Sequence, residues 1–155
     1  MAKYLLHDIF EGNYPISQYF GARPWYYIRF GFRGHEGVDW ATPVGVKVLN
    51  PFTSAIVLRS GWDSAYGYYV VLWDQRQKCA VWLCHLSSIT VKPSTTIKLG
   101  QMVGKTGKTG NVTGPHIHVG FVETDARGNR IGTFNGYKGY KNILDKNLVS
   151  WKLSR

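Results

Sequence analysis

Two histidines one residue apart, His116 and His118 in GPHIHVGF (114–121), have a type and spacing that could do chemistry. Residues i and i+2 of a strand share a face, and Gly114 with Pro115 argues against a helix, so the two imidazoles project side by side. In GHEGVDW (34–40), His35 and Asp39 lie four apart among glycines that disfavour the helical arrangement of an HExxH site, so a turn running into a strand fits better. Imidazoles with one carboxylate make a ligand set that suits zinc, and a catalytic zinc needs three protein donors with a fourth position open. His35 and Asp39 supply two of the three. One of His116 and His118 supplies the third, and spacing leaves open which. Glu36 reads as a solvated surface residue pointing away from a metal. His85, in WLCHLSS (82–88), stands at the end of a strand-like run in which 81, 83 and 85 share a face. Two imidazoles are then left over, and hydrolysis of a peptide needs a proton acceptor and a proton donor.

The elements that must position these groups read as short strands punctuated by glycine and proline: PISQYFGARPW, EGVDWATPVGVKVLN, AIVLRSG, GYYVVLWD, CAVWLCHL and HIHVGFVET. GYYVVLWD and CAVWLCHL, joined through DQRQK, form a hairpin. Apolar spacing of three and four in KNILDKNLVSWKL (141–153) predicts one C-terminal helix. Cys79 and Cys84 lie five apart on a strand, so they face opposite ways and read as small buried residues with no disulfide between them. The chain has 155 residues with 44% hydrophobic and 15% aromatic content and 18 glycines, which predicts one mainly β domain spanning 1–155 with no linker.

Net charge is +10, which implies an anionic partner: nucleic acid, a membrane face or a cell-wall polymer. Residues 126–155 carry Arg127, Arg130, Lys138, Lys141, Lys146, Lys152 and Arg155 against Asp145 alone, so the positive field concentrates there. Aromatic-interleaved groove motifs are not identifiable, so no specific nucleic-acid binding is expected. No segment approaches a spanning helix, and the N-terminus MAKYLLHDIF lacks a signal-peptide core.

Taken in order, FGARP, HEGVDWATPVGVKV, GYYVVLW, CHLSSI and LGQMVGKTGKTGNVTGPHIHVGF make the chain resemble the lysostaphin-type, LytM-like zinc metallo-endopeptidases, which cut peptide cross-links in bacterial peptidoglycan. The resemblance covers about residues 16–122 and leaves 126–155 as a basic extension. It implies an antiparallel β-sandwich of the duplicated-hybrid-motif type with its cleft across one sheet. It also implies one Zn2+ held by His35, Asp39 and His118, with His85 and His116 as the metal-free catalytic pair.

Several family features are altered here. Leu83 stands where many members have tyrosine, Val119 and Gly120 follow H-x-H where many have an aromatic and an acidic residue, and Arg29 occupies the place of an oxyanion-stabilising tyrosine. Tyr26, Tyr27 or Arg29 could take that role. Peptidoglycan stems or bridges are the implied substrates, and Arg23 in FGARP points toward the D-alanyl to diaminopimelate link over pentaglycine. The absence of an export signal suggests a monomeric phage lysin or virion component, made in the host cytoplasm and acting on the wall. The competing reading is a non-catalytic wall-binding or hydrolase-regulating module of the same fold.

Overall fold

The computed structural model describes residues 2–154; Arg155 of the basic tail lies outside them. The hairpin foreseen from sequence is present as β6 (Gly67–Asp74) and β7 (Cys79–Ile89), paired antiparallel. On its far side β7 pairs with β10 (Ile117–Glu123), and β10 pairs in turn with β3 (Val38–Trp40). β2 (Ile16–Gln18) extends this edge. β5 (Ser54–Asp63) and β8 (Thr96–Lys98) extend the other, and every pairing in this ten-stranded sheet is antiparallel.

Alternation decides which face is core. Val119 and Phe121 of β10, with Cys79, Val81 and Leu83 of β7, point into one apolar cluster. Two further strand pairs cover it: β4 (Lys47–Leu49) with β9 (Met102–Thr106), and β1 (Tyr4–Leu6) with β12 (Val149–Trp151). Leu6, Val48, Val103 and Val149 bring their side chains into the same cluster. The expected all-β class therefore holds, with one departure: β1 and β12 run parallel. Cys79 and Cys84 are both buried and free, as their spacing predicts.

The expected C-terminal helix is absent. Residues 142–148 run through turns, because Asn142 Oδ1 accepts from the Leu144 N–H at 3.0 Å and Asp145 Oδ1 from the Asn147 N–H at 2.9 Å. These side-chain turns compete with the helical ladder that the apolar spacing alone would favour. The run read as strand through PISQYFGARPW also stops short, at Gln18. Arg23 takes a left-handed conformation (φ 52°), and Pro24 opens a four-residue helix, α1 (Pro24–Tyr27), with proline at its first turn.

Candidate metal and catalytic site

On the face opposite the core, β3 and β10 set Asp39 directly across from His118, and β10 and β7 set His118 across from Cys84. The bend before β3 brings in His35. Its Nδ1 lies 3.2 Å from the Tyr19 carbonyl, so that nitrogen carries the proton and Nε2 turns its lone pair inward. His35 Nε2, Asp39 Oδ1 and His118 Nδ1 then form a triangle with edges of 3.3, 2.9 and 3.1 Å. Ligand atoms around a tetrahedral zinc, at bond lengths of ~2.0–2.1 Å, are spaced about 3.3 Å apart. All three residues are buried. The donor types, tautomers and spacing fit a zinc ion.

The charge state of this cluster follows from its contacts. Burial alone would raise the Asp39 carboxyl, but hydrogen bonds with His118 and His35 outweigh it and hold the group well below the ordinary carboxylate range. Burial likewise opposes protonation of His118, and the Asp39 contact outweighs it, raising that imidazole above its usual value. Removing a charge from either partner would strand the other in a buried site.

Glu36 is the main correction to the sequence reading. It is 6% exposed, and its Oε1 lies 3.2 Å from His118 Nε2. Strand alternation does not govern it, because residues 34–37 form a bend that ends where β3 begins. Gly37 permits the approach: a Cβ there would stand 2.7 Å from His118 Cε1. The carboxylate is off the line of the His118 N–H, so Nε2 has no aligned acceptor among the described residues and the contact is electrostatic.

His85 is inside β7 and has a left-handed backbone (φ 63°). Its odd position would send it into the core with Val81 and Leu83. The irregularity instead turns the ring toward the cleft and shifts the alternation by one, so that Leu86 is the next core residue. His85 Nδ1 lies 2.7 Å from the Thr109 carbonyl, and His116 Nδ1 lies 3.0 Å from the Gly114 carbonyl. Both rings thus give one N–H to backbone and leave Nε2 free. Their centroids are 4.7 Å apart, and His116 Nε2 lies 3.6 Å from Asp39 Oδ2. Burial, helped by the His118 charge, pushes the His85 pKa down to about 4.

These groups share a cleft of about 490 Å3 with Arg23, Tyr26 and Tyr27, whereas Arg29 does not line it. A second hollow, of about 620 Å3, lies beside Trp73 and Gln77 and has no histidine in its lining. The Tyr27 hydroxyl accepts from Gln18 Nε2 at 2.8 Å, and the same nitrogen lies 3.2 Å from Asp39 Oδ2. Burial pushes the Tyr27 phenol up to about 12. Sequence reasoning did not find Gln18, nor Tyr66, which stacks on His118 at 5.7 Å. Neither carries a local motif: Gln18 arrives by pairing with Asp39 across β2 and β3, and Tyr66 from the turn between β5 and β6, where its carbonyl accepts from the His85 N–H.

Known proteins share this arrangement of strands and sequence. The chain is 33% identical over 108 residues to Peptidoglycan DD-endopeptidase ShyA of Vibrio cholerae, covering 70% of this chain and 25% of that one. It is 31% identical over 109 residues to Glycyl-glycine endopeptidase ALE-1 of Staphylococcus capitis, covering 68% and 28%. The chain therefore spans about a quarter of the length of these relatives. The catalytic domain of the antimicrobial peptidase lysostaphin from Staphylococcus simulans superposes with a TM-score of 0.67 at 25% identity, covering 84% of this chain and 90% of that one. With the sequence model described as Peptidase family M23 matching residues 33–132, a stretch that holds His35, Asp39, His85, His116 and His118, the chain belongs to peptidase family M23.

Proposed function

We propose that this chain is a zinc-dependent endopeptidase that hydrolyses peptide cross-links of bacterial peptidoglycan. The observation that carries the reading is the pairing of a buried two-histidine, one-aspartate triangle with two imidazoles whose Nε2 atoms are left free in the same cleft. His35, Asp39 and His118 would hold the zinc. Bound there, it would supply a Lewis acid for the scissile carbonyl and lower the pKa of a water toward ~7.

The chain's own groups handle the protons. His85, with its pKa near 4, is neutral at physiological pH, so Nε2 is ready to take a proton. His116 is more open, with its side chain 19% exposed and its Nε2 3.6 Å from Asp39 Oδ2; it suits delivery of a proton to the departing amine. Tyr27 stays protonated and receives a hydrogen bond from Gln18, which leaves its own O–H free to donate to a developing oxyanion. Of the three residues considered for that role, Arg29 is disfavoured by its place outside the cleft.

Metal analysis beside hydrolysis rates tests the division of labour. His35→Ala, Asp39→Ala and His118→Ala should lose zinc and activity together. His85→Ala and His116→Ala should keep about one equivalent of zinc while the rate falls by roughly 10²–10⁴. Zinc loss in His116→Ala with retention in His118→Ala would reverse the assignment of that pair. A wild-type protein that binds zinc and wall but releases no peptide ends would instead support a non-catalytic module.

A further inference from the structure

The ladder between β6 and β7 shifts register beside His85, between Tyr68 and Val70. Where Tyr68 pairs with Leu86, a side chain from a third segment enters the ladder. The Thr109 hydroxyl accepts from the Tyr68 N–H at 3.1 Å and donates to the Leu86 carbonyl at 2.6 Å. A hydroxyl can bridge in this way because it is donor and acceptor at once, and it links the strands where the irregularity interrupts their own exchange.

The same irregularity aims His85. Its backbone is left-handed (φ 63°), and its N–H donates to the Tyr66 carbonyl at 2.7 Å. The ring that this turns toward the cleft gives its Nδ1–H to the carbonyl of Thr109, also at 2.7 Å. One residue thus ties the two strands through its side chain and holds the ring through its backbone. With the proton kept on Nδ1, Nε2 is the atom left to face the cleft.

Two glycines fit the Thr109 segment to this place. A Cβ on Gly67 (φ 66°) would stand 2.4 Å from the Thr109 carbonyl oxygen and from its Oγ1, and a Cβ on Gly110 (φ 86°) would stand 2.4 Å from the Gly67 nitrogen. These contacts stop the segment from moving toward β6. The two bonds of the hydroxyl stop it from moving away.

Thr106 offers a matched comparison. Its hydroxyl accepts from the Val46 N–H at 2.9 Å and donates to the Pro43 carbonyl at 2.6 Å, in a fully buried place. Those bonds tie β9 to the turn before β4 and not to a histidine.

We propose that Thr109 is a positioning residue for the reaction: its hydroxyl, set into the β6–β7 ladder, holds its own carbonyl where it fixes the tautomer and direction of the His85 ring. The inference rests on the reading of His85 as a proton-transfer group of an endopeptidase, and adds the residue that keeps Nε2 aimed into the cleft. An imidazole freed to move by about 1 Å can lose up to roughly 100-fold in rate.

The test uses the zinc-loaded full chain and soluble cross-linked peptidoglycan fragments. Thr109→Val keeps the shape and removes both bonds; it should lower kcat by roughly 10- to 100-fold with KM nearly unchanged. Thr109→Ser keeps the hydroxyl and should restore most of the rate. Thr106→Val loses the same two kinds of bond and should lower the unfolding midpoint at least as much while keeping kcat. Nitrogen NMR of the imidazoles, with His85 assigned by its disappearance in His85→Ala, gives a reading that needs no turnover. Wild type and Thr109→Ser should show His85 protonated on Nδ1 alone, and Thr109→Val a mixture of both tautomers. If the valine variant does not fold, Thr109→Cys, a weaker donor and acceptor of similar size, carries the same readings in milder form.

Wild-type kcat in Thr109→Val, an unchanged single tautomer there, or an equal loss of kcat in Thr106→Val would overturn the proposal while leaving the endopeptidase reading standing. If the wild type cuts none of the fragments, that reading fails and the tautomer measurement alone decides the positioning role.

Discussion

Glu36 faces the side of His118 that lies away from the donor triangle, 3.2 Å from Nε2, with both side chains buried. A carboxylate behind a metal-binding imidazole favours the proton on the far nitrogen, here by charge without an aligned hydrogen bond, and makes the near one a better donor; losing a partner at that position typically weakens metal binding 10–100-fold. Glu36→Ala should therefore lower zinc affinity by about that factor in a chelator competition, with Glu36→Gln in between. Unchanged affinity in both would reduce Glu36 to packing. The contact is not legible in the sequence, because Glu36 lies in the bend before β3, where no periodicity fixes which way a side chain points. The ligand types were legible: H-x-H and the four-residue spacing from His35 to Asp39 depend on geometry within each segment. The separate role of His118 came from family resemblance, and the structure adds a physical basis, since Asp39 faces His118 in the strand register.

At the scale of elements, β7 shows where pattern reading works and where it stops. Cys79, Val81 and Leu83 follow the two-residue period into the core, and the hairpin with β6 was legible from two apolar runs and a polar turn. The left-handed residue at His85 was not, because one irregular residue leaves the composition of a strand unchanged. The C-terminal segment failed for the converse reason: its apolar spacing is helical, but Asn142 and Asp145 form local turns that periodicity does not register. The conformation of His85 makes a prediction separable from catalysis. A non-glycine residue in the left-handed region costs ~1–2 kcal/mol, while glycine adds roughly 0.4–1 kcal/mol of unfolded-state entropy. The strain is the larger effect, so His85→Gly should be more stable than His85→Ala by about 0.5–1 kcal/mol, read from urea midpoints at equal slope. Greater stability in the alanine variant would mean that the strand relaxes once the ring is gone.

For the whole molecule, the basic C-terminal stretch has two distinct parts. Ile143, Leu148 and Val149 belong to the main core, and β12 pairs with β1, so this extension is packed into the same body as the strands that carry the histidines. Three of its cations are engaged in that packing. Lys141 pairs with the buried carboxylate of Glu123, which also meets Lys3 and the Tyr4 hydroxyl; Lys138 donates to the Phe30 carbonyl; Arg130 lies over Trp82 and Tyr140. Burial works against ionisation of Glu123, but the hydrogen bonds from Lys141, Tyr4 and Lys3 prevail and bring its pKa to about 2. Seven cations are visible in the sequence, but sorting them is not possible there, because partners such as the Phe30 carbonyl of Lys138, 108 residues away, are set by topology. Arg127, Lys146 and Lys152 remain exposed. Attachment to an anionic wall polymer should fall on these three, acting over a Debye length of ~8 Å at physiological salt. Arg127→Gln, Lys146→Gln and Lys152→Gln combined should weaken binding to purified walls at low salt and flatten its salt dependence, with the unfolding midpoint unchanged. Lys141→Gln should do the reverse, lowering the midpoint while leaving the salt dependence nearly intact. Binding that is insensitive to salt in the wild type, or unaltered in the triple variant, would remove charge from the account of wall attachment.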